Sequence, residues 1–241
     1  MAQQVYLTFF EHLEELRKRL VISLALIGLG TAAGFFYSDA ALKFLLTPIE
    51  SKIDQVYFFS PAEAFVVKFK VAFLFGVIAA SPGVISQLWL FLSPALHAKE
   101  KRALIPLVVV TSFLFLSGVF FCFYLVMPTT LQFLVGMQTD FLKPLLSIKN
   151  YVDLLFGMLL AFGFCFTLPV FVAALAFWGV LNSRTLNKYQ RHVIVGIFIV
   201  AAVVTPTPDF TGQILLAVPL LLLFELSVIG CRAIEWFKRK R

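Results

Sequence analysis

Charge is scarce in this chain. Of its 241 residues 14% are charged, against about 25% in an average soluble domain, so a water-facing surface of ordinary composition is excluded. Cysteine is equally thin. Cys122, Cys165 and Cys231 lie within or at the ends of apolar runs, and with no local Cys or His partner Cys122 and Cys165 read as small packing residues. The three histidines, His12, His97 and His192, fall at the borders of apolar runs, and no metal-ligand spacing occurs. Neither G-x-S-x-G nor H-E-x-x-H is present, which removes support for a membrane hydrolase of those types. There is no phosphate-binding loop and no visible internal repeat of the kind common in secondary transporters. No enzyme, metal or cofactor is therefore expected.

What the chain has is apolar mass. Hydrophobic residues make up 61% and aromatics 16%, with 29 Phe and a mean hydropathy of +0.95. That composition predicts an all-α integral membrane protein whose single domain covers 1–241. Six transmembrane spans are read at about 20–37, 71–92, 103–127, 154–178, 193–204 and 214–230. The first lacks a cleavage pattern and is read as a retained span. The fifth is short, about 18 Å at a rise of about 1.5 Å per residue, so it either extends past its polar ends or sits in a thinned bilayer. A re-entrant segment is the other reading of that run. The sixth run must still reach a basic tail on the opposite side. The segments 38–70 and 128–153, broken by Pro48, Pro61 and Pro144, are expected to carry short helices.

Positive charge is distributed unevenly. Fourteen of the 20 Lys and Arg lie before the first span, between spans two and three, between four and five, and after the sixth. The remaining six, Lys43, Lys52, Lys68, Lys70, Lys143 and Lys149, are spread over longer segments. This bias predicts that both termini are cytoplasmic, and it accounts for the net charge of +7 without a nucleic-acid partner.

Acids punctuate the cytoplasmic side. Residues 12–20, HLEELRKRL, directly precede the first span. Thr8 and Glu11 have capping-box spacing, so a helix is predicted from about Thr8, with Leu13, Leu16 and Leu20 on its apolar side. Glu14 with Lys18 and Glu15 with Arg19 are i,i+4 pairs in the favourable order, the pattern of a self-paired interfacial helix. The same carboxylates also suit a docking site for a cationic ligand. Glu100 is the lone acid of a second basic loop, 97–102. It is either a local salt-bridge partner or a second carboxylate for one guanidinium, whose planar fork bonds carboxylates bidentately.

Three polar residues stand out near the last spans. Glu225 interrupts the sixth apolar run and should be neutral, paired, in a wet cavity or already at the interface. Asp209 follows two prolines and is expected to cap the sixth span, with Gln213 one turn on.

Taken in order, these landmarks resemble the TatC family of twin-arginine protein translocases. The match runs from about Thr8 to Ile234: residues 12–19; Thr47-Pro48; Ser60-Pro61; Ser81-Pro82 through Gln87 to Phe91; Pro94 to Leu96; Glu100 to Arg102; Phe162-Gly163; Pro169-Val170; Pro208-Asp209 with Gln213; and Pro219 through Phe224-Glu225. The resemblance implies a glove-like receptor of six helices in a bacterial-type cytoplasmic membrane. It implies that Glu15 and Glu100 receive the paired arginines of a signal peptide, and Arg17, Arg19 and Phe91 are assigned to the same site. Small single-span partners of the TatA and TatB type, self-association, folded cargo and a proton-motive drive are implied too. A self-contained proton-coupled transporter, with Glu225 as its proton site, is the rival class. One departure stands out: where the family usually has Glu or Gln in the fourth span, this chain has Thr167. Threonine there can serve a partner helix or bond its own backbone one turn back. Thr167, Asp209, Gln213 and Glu225 are the candidate partner-contact or intramembrane polar residues.

Overall fold

The computed structural model describes residues 9–50, 56–93, 104–136, 147–179, 183–204 and 210–239. Helices account for nearly all of them: α1 (Phe9–Phe36), α2 (Ser38–Glu50), α3 (Pro61–Leu92), α4 (Leu104–Phe121), a π-helical turn (Cys122–Val126), α5 (Met127–Gly136), α6 (Ile148–Phe177), α7 (Ser183–Val204) and α8 (Phe210–Arg239). Among the described residues five helical stretches are long and apolar enough to cross a membrane: Phe10–Phe36, Pro61–Leu92, Leu104–Phe133, Ile148–Phe177 and Leu216–Ala233. They cover five of the six runs read from sequence. The short fifth run is the C-terminal part of α7, which extends back over polar residues to Ser183.

Helices outrun the apolar stretches that announce them, for local reasons. Pro61 opens α3 rather than breaking the chain, since a proline at the first helical position forfeits an N–H that has no helical partner anyway. Glu63 then accepts the Phe59 N–H at 2.8 Å. Pro48 lies inside α2, and Pro144 lies outside the described residues. Pro82, inside α3, removes the N–H that would reach Ile78. The Ser81 hydroxyl donates to that carbonyl at 2.7 Å, so the freed acceptor is not lost. The helix begun by α4 continues through the π turn, where the Met127 N–H reaches the Cys122 carbonyl just before Pro128.

The chain divides into two compact units, residues 1–44 with 65–113, and residues 45–64 with 114–241. In the first, α1 and α3 run antiparallel along a narrow seam. Its middle is glycine: a Cβ at Gly76 would fall 2.5 Å from the Thr31 nitrogen, and one at Gly30 2.8 Å from the Gly76 carbonyl oxygen. Small residues let membrane helices bring their backbones this close. Asp39 and Lys68 pair at 2.6 Å at one end of the seam. Trp89 of α3 is fully buried and donates to the Thr111 hydroxyl at 3.1 Å, which in turn donates to Leu107 O at 2.7 Å.

The second unit is built around α6, whose Leu155, Met158, Leu159 and Phe162 are buried. It packs against α8, which buries Leu216, Leu220, Phe224, Val228 and Cys231 at helical spacing. Gly179 ends α6 with φ of 77°, a left-handed cap that glycine adopts without strain. At the other end of α6 the Tyr151 hydroxyl donates to the Leu45 carbonyl, Ile148 N–H donates to Tyr57 O at 2.9 Å, and the Ser147 hydroxyl donates to Glu63 at 2.8 Å. α7 and α8 form an antiparallel hairpin.

Candidate functional site

The first turns of α1 and the last turns of α3 build the site. Residues 12–19 place Leu13 and Leu16 outward, 45% and 43% exposed. On another side Arg19 and His12 reach α3, while Glu14, Arg17 and Lys18 are exposed. An apolar side facing outward is what a helix entering a bilayer requires.

Arg19 is the hub. Its Nη2 lies 3.2 Å from the Glu15 carboxylate, one turn back, and its Nη1 donates to Gln87 Oε1 at 3.0 Å. Both side chains of the ion pair are mostly covered, Arg19 25% and Glu15 21% exposed. One turn beyond Gln87, the Phe91 ring stacks on His12 with centroids 4.5 Å apart and planes 25° apart. Seven residues separate His12 from Arg19 and four separate Gln87 from Phe91, so each pair shares a helix face. The product is a covered carboxylate already engaged with a guanidinium and bordered by an aromatic ring.

Of the residues assigned from sequence, Glu15, Arg19 and Phe91 come together here. Arg17 is exposed, as are Glu14 and Lys18, and Glu100 lies outside the described residues. Gln87 and His12 were not singled out as site residues from sequence. The seven-residue spacing of His12 and Arg19 was the available signal, but it needed the α1–α3 register to be read.

The other polar candidates lie in the second unit. Thr167 is buried, 6% exposed, and its hydroxyl donates to the Phe164 carbonyl at 2.6 Å within α6. The local bond foreseen for a threonine is thus the one adopted. Gln213 Nε2 donates to Phe198 O at 2.8 Å, tying α8 to α7. Glu225 is exposed, and its carboxylate accepts from Gln190 Nε2 at 2.6 Å. Arg232 donates to Asn187 at 3.1 Å further along the same hairpin. Asp209 lies outside the described residues.

Known proteins are similar to this chain along nearly its whole length. The family model for the Sec-independent protein translocase protein TatC matches residues 11–219. A TatC from Carboxydothermus hydrogenoformans is 35% identical over 229 residues, covering 95% of this chain and 94% of that protein. One from Aquifex aeolicus is 36% identical over 222 residues, covering 90% and 92%. A crystal structure of the twin-arginine translocase receptor TatC superimposes with a TM-score of 0.85 at 33% identity, over 93% of this chain and 99% of the other. These relatives are named as translocase proteins rather than enzymes, and a self-contained transporter is not favoured. With its helical fold, its apolar spans and this coverage, the chain belongs to the TatC family of Sec-independent protein translocase proteins.

Proposed function

We propose that this chain is the signal-receptor and core subunit of a twin-arginine translocase. Its Glu15, with Glu100 from the following cytoplasmic loop, receives the paired arginines of a signal peptide. Small single-span subunits of the TatA and TatB type then join it to move folded cargo, driven by the proton-motive force. The observation that carries this reading is the Glu15 carboxylate itself, which is mostly covered and already holds a guanidinium at 3.2 Å. Electrostatic pairing in such a covered place is worth more than on an open surface. Arg17, exposed on the same helix, and Phe91 border the path a peptide would take.

Photocrosslinking a labelled twin-arginine peptide to probes placed around Glu15 and Glu100 tests the reading. Adducts at both places, competed by unlabelled Arg-Arg peptide but not by a Lys-Lys version, are expected. Adducts confined to α7 and α8 would move the site elsewhere.

The same reading requires the basic segments to be cytoplasmic and α7 to count as a sixth span. In an otherwise cysteine-free variant, single cysteines at Ser51, the exposed Lys149 and Thr207 should react with an impermeant reagent from outside. Cysteines at Ala98, Asn187 and Arg241 should be protected. Outside labelling at Ala98 would overturn the orientation and the binding site with it.

For partner contact, Glu225, Gln213 and Asp209 are the residues we assign. Glu225 has an exposed carboxylate held in place by Gln190, so it offers charge at low reorganisation cost. Thr167 belongs with them, since its hydroxyl donates inside its own helix and its oxygen can still accept a bond from a partner side chain.

A further inference from the structure

The Arg19 guanidinium stands between two acceptors of unequal charge. It reaches Glu15 at 3.2 Å and Gln87 at 3.0 Å, and its Nε is buried with no hydrogen-bond partner among the described residues. A guanidinium brings five N–H donors in a rigid fork, so Arg19 is held here without being fully satisfied. An i,i+4 pair on one helix needs no help from another. Yet Gln87, 68 positions away in sequence, supplies a neutral oxygen that retains the side chain without competing for its charge.

We propose that Arg19 is a placeholder for the incoming arginine: it occupies the Glu15 carboxylate while the site is vacant, and Gln87 retains it when a ligand guanidinium takes that carboxylate. The inference rests on the assignment of Glu15 to the signal-peptide site and deepens it. The exchange breaks one bond, Arg19 to Glu15, and forms bonds of the same kind between ligand and Glu15, while the Gln87 bond persists. After the exchange two guanidiniums stand beside one carboxylate, and Gln87 holds the displaced one. Arg19 thus lowers the affinity of every cationic ligand by one common factor, while the preference for arginine rests on Glu15 itself, since a lysine ammonium is a point charge without the planar fork.

The test titrates the purified full-length protein in detergent with a fluorescent synthetic peptide carrying Arg-Arg ahead of an apolar segment, and with its Lys-Lys twin. Arg19→Gln removes the resident cation, so affinity should rise for both peptides, by about fivefold at most for a pair that is partly solvated. The rise should be the same factor for Lys-Lys as for Arg-Arg, because the cost of displacing Arg19 is common to both. Arg19→Lys, which keeps the charge and loses the fork, should fall between. Gln87→Leu should weaken Arg-Arg binding severalfold in the parent but not in the Arg19→Gln background, the coupling expected of two residues acting through one another. If Arg19→Gln weakens both peptides, or leaves both affinities unchanged, the placeholder is wrong and Arg19 only supports the helix pair. Glu15→Gln separates the two levels: binding that survives it sinks the receptor assignment itself, whereas binding lost there with no rise in affinity in Arg19→Gln sinks the placeholder alone.

Discussion

Glu15→Gln is expected to lower the affinity for an Arg-Arg signal peptide by about thirtyfold, or about 2 kcal/mol. The substitution keeps the shape of the side chain and removes its charge. Removing one partner of a covered charge pair costs about 2–5 kcal/mol, against about 0–1 kcal/mol on an open surface. Glu15 is 21% exposed, which places it toward the covered regime but near its lower end. Glu100→Gln should act in the same direction, and its size reports how far that carboxylate is withdrawn from water. In the parent, Arg-Arg should outcompete Lys-Lys by more than charge explains, because only guanidinium bonds bidentately. Peptide titration of the two variants decides the matter. Retained affinity with an intact preference for arginine in both would mean that the peptide binds elsewhere.

Trp89→Ala should be the most damaging single change in the first unit, costing about 3–5 kcal/mol of stability as other buried aromatic truncations do. Trp89 has no exposed surface, and its indole N–H donates to Thr111 of α4. It also stands two residues from Gln87 and two from Phe91, so its loss should loosen the part of α3 that faces Arg19 and His12. Trp89→Phe keeps much of the volume and gives up the hydrogen bond. The Thr111 hydroxyl still donates to Leu107 O, so the Phe variant should lose only about 1 kcal/mol. Thermal unfolding of the two purified variants provides the measurement. Equal midpoints for Ala and Phe would show that volume at this position is not what holds α3 to α4.

How much of this was legible beforehand depends on the range of the interaction. Helical class and the positions of five apolar crossings follow from composition and charged punctuation, since each is a property of twenty or so neighbouring residues. Helix ends were read less well. α3 begins at Pro61 and α6 at Ile148, earlier than hydropathy suggests: a first-turn proline opens α3, and the Ile148 N–H is held by Tyr57 O where α6 starts. Within the candidate site the Glu15–Arg19 pair was visible as i,i+4 spacing. Gln87 and the His12–Phe91 stack were not, since each joins residues far apart in the chain whose meeting depends on how α1 and α3 are aligned. Thr167 shows the opposite case: its bond to Phe164 is local, and such a bond was one of the two readings open from sequence, beside a partner contact.

The alignment of α1 and α3 is set at their glycine contact, Gly30 on Gly76. Gly30 lies fifteen residues from Glu15, about 22 Å along the helix. A slip of one residue at that contact would carry the Glu15–Arg19 pair about 1.5 Å along the axis and about 100° around it, parting Arg19 from Gln87 and His12 from Phe91. The place where charge is read is therefore indexed from a distance, as a ruler is read from a zero far from the mark. Residues around Glu15 govern how strongly a cation is held, while the coordinates of the carboxylate are stored where two backbones touch.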